Sequence, residues 1–237
     1  EEARARAEAK QQERRREAEG HGKMYRPRKD PQDAQPKARA QRNFTDPQSR
    51  IMVSSDKAFI QGYNAQAAMD AESQVVVACE LTNEAGDVRQ MAPLVDGVER
   101  VTGRRPGEVL ADAGYWSEKN VQFLDQRGIA CLIPPDKVRH RQWREANALP
   151  PRPSPEASLR DKMRYALRLP ANRERYRMRE QTVEPVFGQI KEGRGLRQFL
   201  LRGMAKVRAL WRLDCAVHNL LKLWRAGVSW EARWATP

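Results

Sequence analysis

The stretch EVLADAGYWSEKNVQFLDQRGIACLIPP, residues 108–135, decides the fold class. It opens with a short apolar run, Glu108-Val109-Leu110-Ala111, that closes on Asp112, Ala113, Gly114 and Tyr115. That is the pattern of a strand ending in an acid and a glycine. Ser117 is placed to cap a helix that turns Val121, Phe123 and Leu124 inward and ends at Gly128. Ile129 to Ile133 is a second apolar run, stopped by Pro134-Pro135. Strand, helix and strand in this order, with short connections, point to an α/β arrangement.

Working toward the N-terminus, Asp87 is positioned to cap a helix whose apolar positions are Val88, Met91, Leu94, Val95, Val98 and Val101, broken by Gly103 and Pro106-Gly107. Before it, Phe59–Met69 and Ser73–Thr82 flank Asp70-Ala71-Glu72 and read as a β-hairpin. The run Val75-Val76-Val77-Ala78-Cys79 is continuous and apolar, as expected of a strand buried on both faces. Hairpin, helix, strand, helix, strand predicts an α/β sheet of mixed direction. Toward the C-terminus, residues 136–158 read as an irregular, Pro-rich basic insertion. Leu159 to Ala226 is helical by pattern. Its last segment sets Val207, Leu210, Trp211, Val217, Leu220, Leu221 and Trp224 at helical spacings, a face expected to pack on the sheet or a neighbouring helix. Residues 1–19 are strong helix formers but polar on every side, which predicts an exposed helix or a disordered tail. From Gly20 to about Arg42 the chain reads as a basic linker. The globular domain is expected over residues 44–228, with 1–43 and 229–237 as tails.

The 237 residues are 40% apolar and 7% aromatic, enough for a core, and no apolar run approaches a membrane span. No signal peptide opens the chain. The expectation is a soluble, cytoplasmic protein, and the first residue, Glu1, suggests a fragment or processed product. Cys79, Cys131 and Cys215 form no CxxC pair, which argues against a disulfide framework or a cysteine-bound zinc. The net charge of +13 is uneven: residues 44–137 are net acidic, whereas residues 138–237 hold 22 basic and 9 acidic side chains. A clustered basic surface is the footprint of a polyanionic partner, although solvated helix faces produce the same count.

Two acids stand where chemistry could sit. Asp112 ends an apolar strand, where ligands of open α/β sheets gather, though a strand-end acid capping a turn is common. Glu184 lies in TVEPVFGQIK, residues 182–191. This reads as the start of an amphipathic helix, with Thr182 as its cap and Pro185 in its first turn. Lys191 falls seven residues later, two turns along the same face. Taken singly, each acid is better read as an ordinary surface residue. His21, His140 and His218 are scattered and join neither.

Taken together, ADAGYWSE (111–118) and YRMREQTVEPVFGQIK (176–191) resemble the second and third blocks of bacterial insertion-sequence transposases of the DDE class. TDPQSRIM (45–52), IQGYNAQAAMDAESQVVVA (60–78) and LRGMAKVRALWRLDCAVHNLLKL (201–223) extend the resemblance over roughly residues 44–225. It implies an RNase H-like mixed sheet flanked by helices, with the hairpin as second and third strands, Asp112 ending the fourth, and Glu184 on a helix beside the sheet. It also implies metal-dependent phosphodiester cleavage and strand transfer at element ends, with Asp112 and Glu184 as catalytic metal ligands. Mg²⁺ is the implied cofactor, with Mn²⁺ as a substitute. DNA is the implied partner, and a homodimer in the bacterial cytoplasm would pair two ends on nucleoid DNA. Two Mg²⁺ ions roughly 3.5–4 Å apart serve in-line displacement at phosphorus, and they call for hard oxygen ligands.

Tyr176, Arg179 and Lys191 are the implied DNA contacts. The family spacing is Tyr, two residues, Arg, three residues, Glu, six residues, Lys. Here four residues separate Arg179 from Glu184, so Arg177 also competes for the arginine position. The first Asp of the triad has no counterpart among Asp46, Asp56 and Asp70, none of which ends an apolar strand. It is expected upstream of Glu1. Two other readings stand beside the transposase: a catalytically inactive remnant that only binds DNA, and a different RNase H-like nuclease.

Overall fold

The computed structural model describes residues 2–20, 24–27, 30–36, 41–54, 57–136, 149 and 151–227. The chain divides into two units, Glu1–Arg42 and Asn43–Pro237. In the first, helix α1 (Glu2–Gly20) forms from residues of high helix propensity without an apolar stripe. Its support is local, as in the Arg15–Glu19 pair one turn apart at 2.9 Å. A single 3₁₀ turn, Pro31–Asp33, follows, capped by the Asp30 carboxylate.

The second unit begins with an antiparallel pair, β1 (Arg50–Val53) and β2 (Phe59–Gly62), in register from Arg50↔Gly62 to Val53↔Phe59. The expected single strand Phe59–Met69 is in fact two. The ladder breaks at Tyr63, whose hydroxyl donates to both oxygens of Asp46 at 2.8 and 2.9 Å. Beyond it, β3 (Asn64–Met69) pairs antiparallel with β4 (Val76–Thr82). The turn between them is longer than Asp70-Ala71-Glu72. Asp70 accepts from the Ser73 amide and hydroxyl, and Gln74 takes a left-handed φ of 58° before the strand resumes. Asp46 is buried and Asp70 sits in this turn, while Asp56 lies outside the described residues.

Helices cover both faces of β4, as its apolar run predicts. Helix α2 (Met91–Thr102) approaches Ala78 closely because Gly97 has no side chain. A Cβ there would lie 3.0 Å from the Ala78 Cβ. On the opposite side Val76, Leu81, Val186, Ile190, Val207 and Trp211 form one core cluster. The expected cap of α2 is not made. Val88–Gln90 form a 3₁₀ turn ahead of the helix, and the Asp87 carboxylate bonds elsewhere. At the other end Gly103, at φ 67°, supplies the left-handed C-cap.

The strand, helix and strand of residues 108–133 are present, and the two strands pair in parallel. Strand β5 (Glu108–Leu110) lies beside β6 (Ala130–Leu132), joined through α3 (Glu118–Gln126), whose Ser117 cap accepts from the Asn120 amide. Met91, Val95, Ala111, Leu124, Ile129 and Ile133 form the core beneath it. Among the described residues the ladders are two-stranded in each case, two antiparallel and one parallel, rather than the one sheet of mixed direction expected. Most of the expected insertion, residues 137–148 and 150, lies outside the described residues. Residues 151–158 are irregular.

The region from Leu159 onward is not helical throughout. Three helices described there, α4 (Leu159–Ala166), α5 (Pro170–Gly188) and α6 (Met204–Arg225), are separated by non-helical chain at 167–169 and at 194–203, where Gly195 and Gly203 take positive φ. The buried face of α6 is Val207, Trp211, Cys215 and His218, whereas the expected Leu220, Leu221 and Trp224 are exposed. Polar pairing sets this rotation. Asn219 binds the Val76 backbone twice, accepting from its N–H and donating to its carbonyl at 2.8 Å each. The His218 Nε2 meets the Gln74 carbonyl at 3.0 Å.

Candidate active site at the end of β5

Strand β5 stops because its ladder ends at Ala111, whose amide donates to the Leu132 carbonyl at 3.2 Å. The next residue, Asp112, is extended and exposed, and its Oδ1 accepts from the Gly114 amide at 2.7 Å. That bond caps the 3₁₀ turn Ala113–Tyr115 and fixes the carboxylate's direction. Gly114 is required by what surrounds it. A Cβ at this position would lie 2.6 Å from Asp87 Oδ2 and 2.9 Å from Asp112 Oδ1. Two carboxylates therefore converge on one small cradle.

Asp87 is held from behind by a polar network. Its Oδ1 accepts from Asn64 Nδ2 and from Gln66 Nε2, both at 2.7 Å. Gln66 Nε2 also donates to Asn64 Oδ1 at 2.8 Å, and the Tyr115 hydroxyl donates to Gln66 Oε1. Each amide orientation is thus set by the next. Gln66 is buried, and its backbone carbonyl accepts from Trp211 Nε1 at 3.0 Å, which ties the network to the core. Burial, and then the Asp87 and Asp112 charges, push the Tyr115 hydroxyl well above its ordinary value of 10, so it stays a donor. Asn120, in the first turn of α3, donates to the Val88 and Tyr115 carbonyls at 2.7 Å each. It clamps the segment bearing Asp87 to the turn bearing Asp112.

Helix α5 runs past this strand end. The Tyr176 hydroxyl donates to the Ala111 carbonyl at 3.3 Å, and Arg175 reaches Glu108 at 3.5 Å. Arg179 lies over the Tyr176 ring, 5.6 Å from its centroid. Burial raises the Tyr176 hydroxyl above its ordinary range. Glu184 is exposed two turns further along. Its surroundings differ from the expected helix start, because α5 runs unbroken from Pro170 through Thr182 and Pro185. Thr182 is buried and donates to the Met178 carbonyl at 2.7 Å, so it caps nothing. Pro185 lacks the amide that would bond the Gln181 carbonyl. Gln74 Nε2 fills the vacancy at 2.9 Å, so an internal proline is accommodated through a side chain 107 residues away.

Beyond Gly188 the helix widens into a π turn, Gln189–Gly193, closed by the Arg194 amide on the Gln189 carbonyl at 3.1 Å. The seven residues from Glu184 to Lys191 are therefore not two ideal α turns, and the expected shared face is altered. Lys191 is exposed, with its ammonium 5.7 Å from the centroid of the Phe187 ring.

Asp112 is thus joined by Asp87, and its strand end by Tyr176 with Arg179, while Glu184 and Lys191 lie further along α5. Asp46 is buried, with bonds from Tyr63, the Gly203 amide at 3.2 Å and the Gln48 amide at 3.3 Å. Among the described residues, no group of three or more His, Cys, Asp or Glu side chains could hold a metal. The Asp87–Asp112 cradle still suits a hard divalent cation. Such an ion takes one or two protein carboxylates and completes its shell with water and phosphate.

Sequence reasoning missed Asn64, Gln66, Asp87, Gly114 and Asn120. A signal was present for the first two: polar amides two apart in a strand otherwise of Ala and Met share one face, away from Ala65 and Ala67.

A family model described as a transposase DDE domain matches residues 35–220. No curated protein and no solved structure matches the chain.

Proposed function

The chain belongs to the transposase DDE domain family, and from that premise we propose that residues 44–228 form the catalytic part of an insertion-sequence transposase. The proposed reaction is phosphodiester cleavage at element ends followed by strand transfer, dependent on Mg²⁺ or Mn²⁺. The observation that carries this reading is Asp112: an exposed carboxylate at a strand end, oriented by the Gly114 amide and met there by a second carboxylate. We assign the fold to the RNase H-like class. An antiparallel hairpin, then a helix, then two strands joined by a helix is the order the resemblance implies after its first strand, and it supports this reading.

Both chemical steps are in-line displacements at phosphorus, so the protein's work is positioning and charge stabilisation. Asp112 and Glu184 are the proposed ligands of the divalent cation, which when bound supplies charge stabilisation of the attacking and leaving oxygens. The Gly114 amide holds Asp112 Oδ1 in place. Lys191 and Arg179 are assigned to DNA phosphates. Tyr176 keeps Arg179 and α5 against the Asp112 strand end through its bond to Ala111. The homodimer that pairs two DNA ends is part of the same proposal.

The test is Asp112→Asn assayed on a DNA carrying the element end with Mg²⁺, with Glu184→Gln alongside. Cleavage lost with DNA binding retained supports the enzyme. Absence of cleavage by the unaltered chain, with binding intact, supports a second reading: a remnant that only binds DNA. In either case Lys191→Ala should weaken binding across sequences alike and lower the salt slope by about one.

A further inference from the structure

We infer that Asp87 is a further carboxylate of the divalent-cation site, sharing the cation with Asp112; this rests on the transposase reading above. Three observations lead to it. First, Asp87 Oδ2 and Asp112 Oδ1 lie 2.6 and 2.9 Å from the same point, the place a side chain on Gly114 would fill. Two carboxylates brought this close repel each other unless a cation or hydrogen-bond donors lie between or behind them.

Second, the donors fall on one side of Asp87 only. Asn64 and Gln66 both bind its Oδ1, so its Oδ2 is the oxygen turned to the cradle. A carboxylate fixed through one oxygen and aimed with the other is how outer hydrogen bonds orient a metal ligand. Third, Asp87 has given up the role its sequence position offers. It makes no side-chain cap on the turn it precedes and instead faces the end of β5.

An asparagine at position 87 suits the test because it preserves the local structure. Its carbonyl oxygen accepts from Asn64 and Gln66 as Asp87 Oδ1 does, and its NH₂ takes the place of Oδ2 at the cradle. The unaltered full chain, Asp87→Asn, Asp112→Asn and Gly114→Ala are titrated with Mn²⁺, and free Mn²⁺ is followed by electron paramagnetic resonance. Circular dichroism checks folding of each. Gly114→Ala leaves both charges in place and puts a methyl group in the cradle, so it tests the site even if Asp87→Asn fails to fold.

Mn²⁺ affinity lower by about tenfold or more in Asp87→Asn, Asp112→Asn and Gly114→Ala supports the shared site. Affinity unchanged in Asp87→Asn or Gly114→Ala, with Asp112→Asn weakened, overturns the role of Asp87 and leaves Asp112 as a ligand without it. An unaltered chain that binds no Mn²⁺ in the millimolar range also overturns the inference. The DNA-cleavage assay then decides the transposase reading separately.

Discussion

Asn120 is the residue whose replacement tests most directly how the site is held together. Its side-chain NH₂ donates to the Val88 and Tyr115 carbonyls at 2.7 Å each, while its own amide is occupied by Ser117. Asn120→Ala removes two hydrogen bonds and leaves two carbonyls without that donor. At roughly 0.5–1.5 kcal/mol net for each bond, the loss is about 2 kcal/mol. For a domain of this size that lowers Tm by roughly 4–8 °C. Asn120→Asp sharpens the test. Position 120 is in the first turn of α3, where an added negative charge on its own stabilises by about 0.3–1 kcal/mol through the helix dipole. The clamp reverses that sign, because a carboxylate cannot donate and sets a charged oxygen against two carbonyls. Urea unfolding of the two variants measures both effects. Asn120→Asp should be at least as destabilised as Asn120→Ala, and Mn²⁺ affinity should fall in both. An Asn120→Asp protein as stable as the unaltered chain would refute the clamp.

Two further outcomes follow from the same contacts. Gln74→Ala removes the donor that occupies the Gln181 carbonyl, at a cost of about 1 kcal/mol. In a Pro185→Ala background, where residue 185 regains its amide, the cost should be smaller; equal costs in a double-mutant cycle would show that Gln74 does not serve the proline gap. His218 is buried, and burial lowers its pKa below 6.5 in the folded state, with the charges of Arg194, Lys222 and Arg225 adding to the effect. The unfolded chain therefore binds the proton more readily. The penalty is absent above pH 6.5 and grows as pH falls from there to the folded value. His218→Gln, which keeps a donor for the Gln74 carbonyl, should flatten the decline in stability between pH 7.5 and 5.5. An unchanged slope would assign that decline to other groups.

Local patterns were legible wherever the deciding partner lay within a turn or two. Ser117 caps α3, Gly103 ends α2, and β5, α3 and β6 follow in order, as periodicity and turn residues imply. The β1–β2 hairpin was not legible, because Val53, Phe59 and Ile60 remain exposed and give no alternating apolar face. Pro185 misled for a different reason. A proline with Thr three residues before it reads as a helix start, and only Gln74, distant in sequence, makes it tolerable in mid-helix. The exposed Leu220, Leu221 and Trp224 share that lesson, since hydrogen bonds from His218 and Asn219 to the β3–β4 turn oriented α6.

By itself, then, the sequence determined the order of elements from β3 to β6, the strand end that presents Asp112, and the motif blocks that resemble DDE transposases. These depend on residue spacing along one segment, and spacing is what a sequence records. The tertiary structure alone decided which groups meet Asp112. Asp87 lies 25 residues before it, and Asn64 and Gln66 lie further back on another strand. Nothing local distinguishes Asp87 from a helix cap until the chain folds and Gly114 leaves room for its carboxylate.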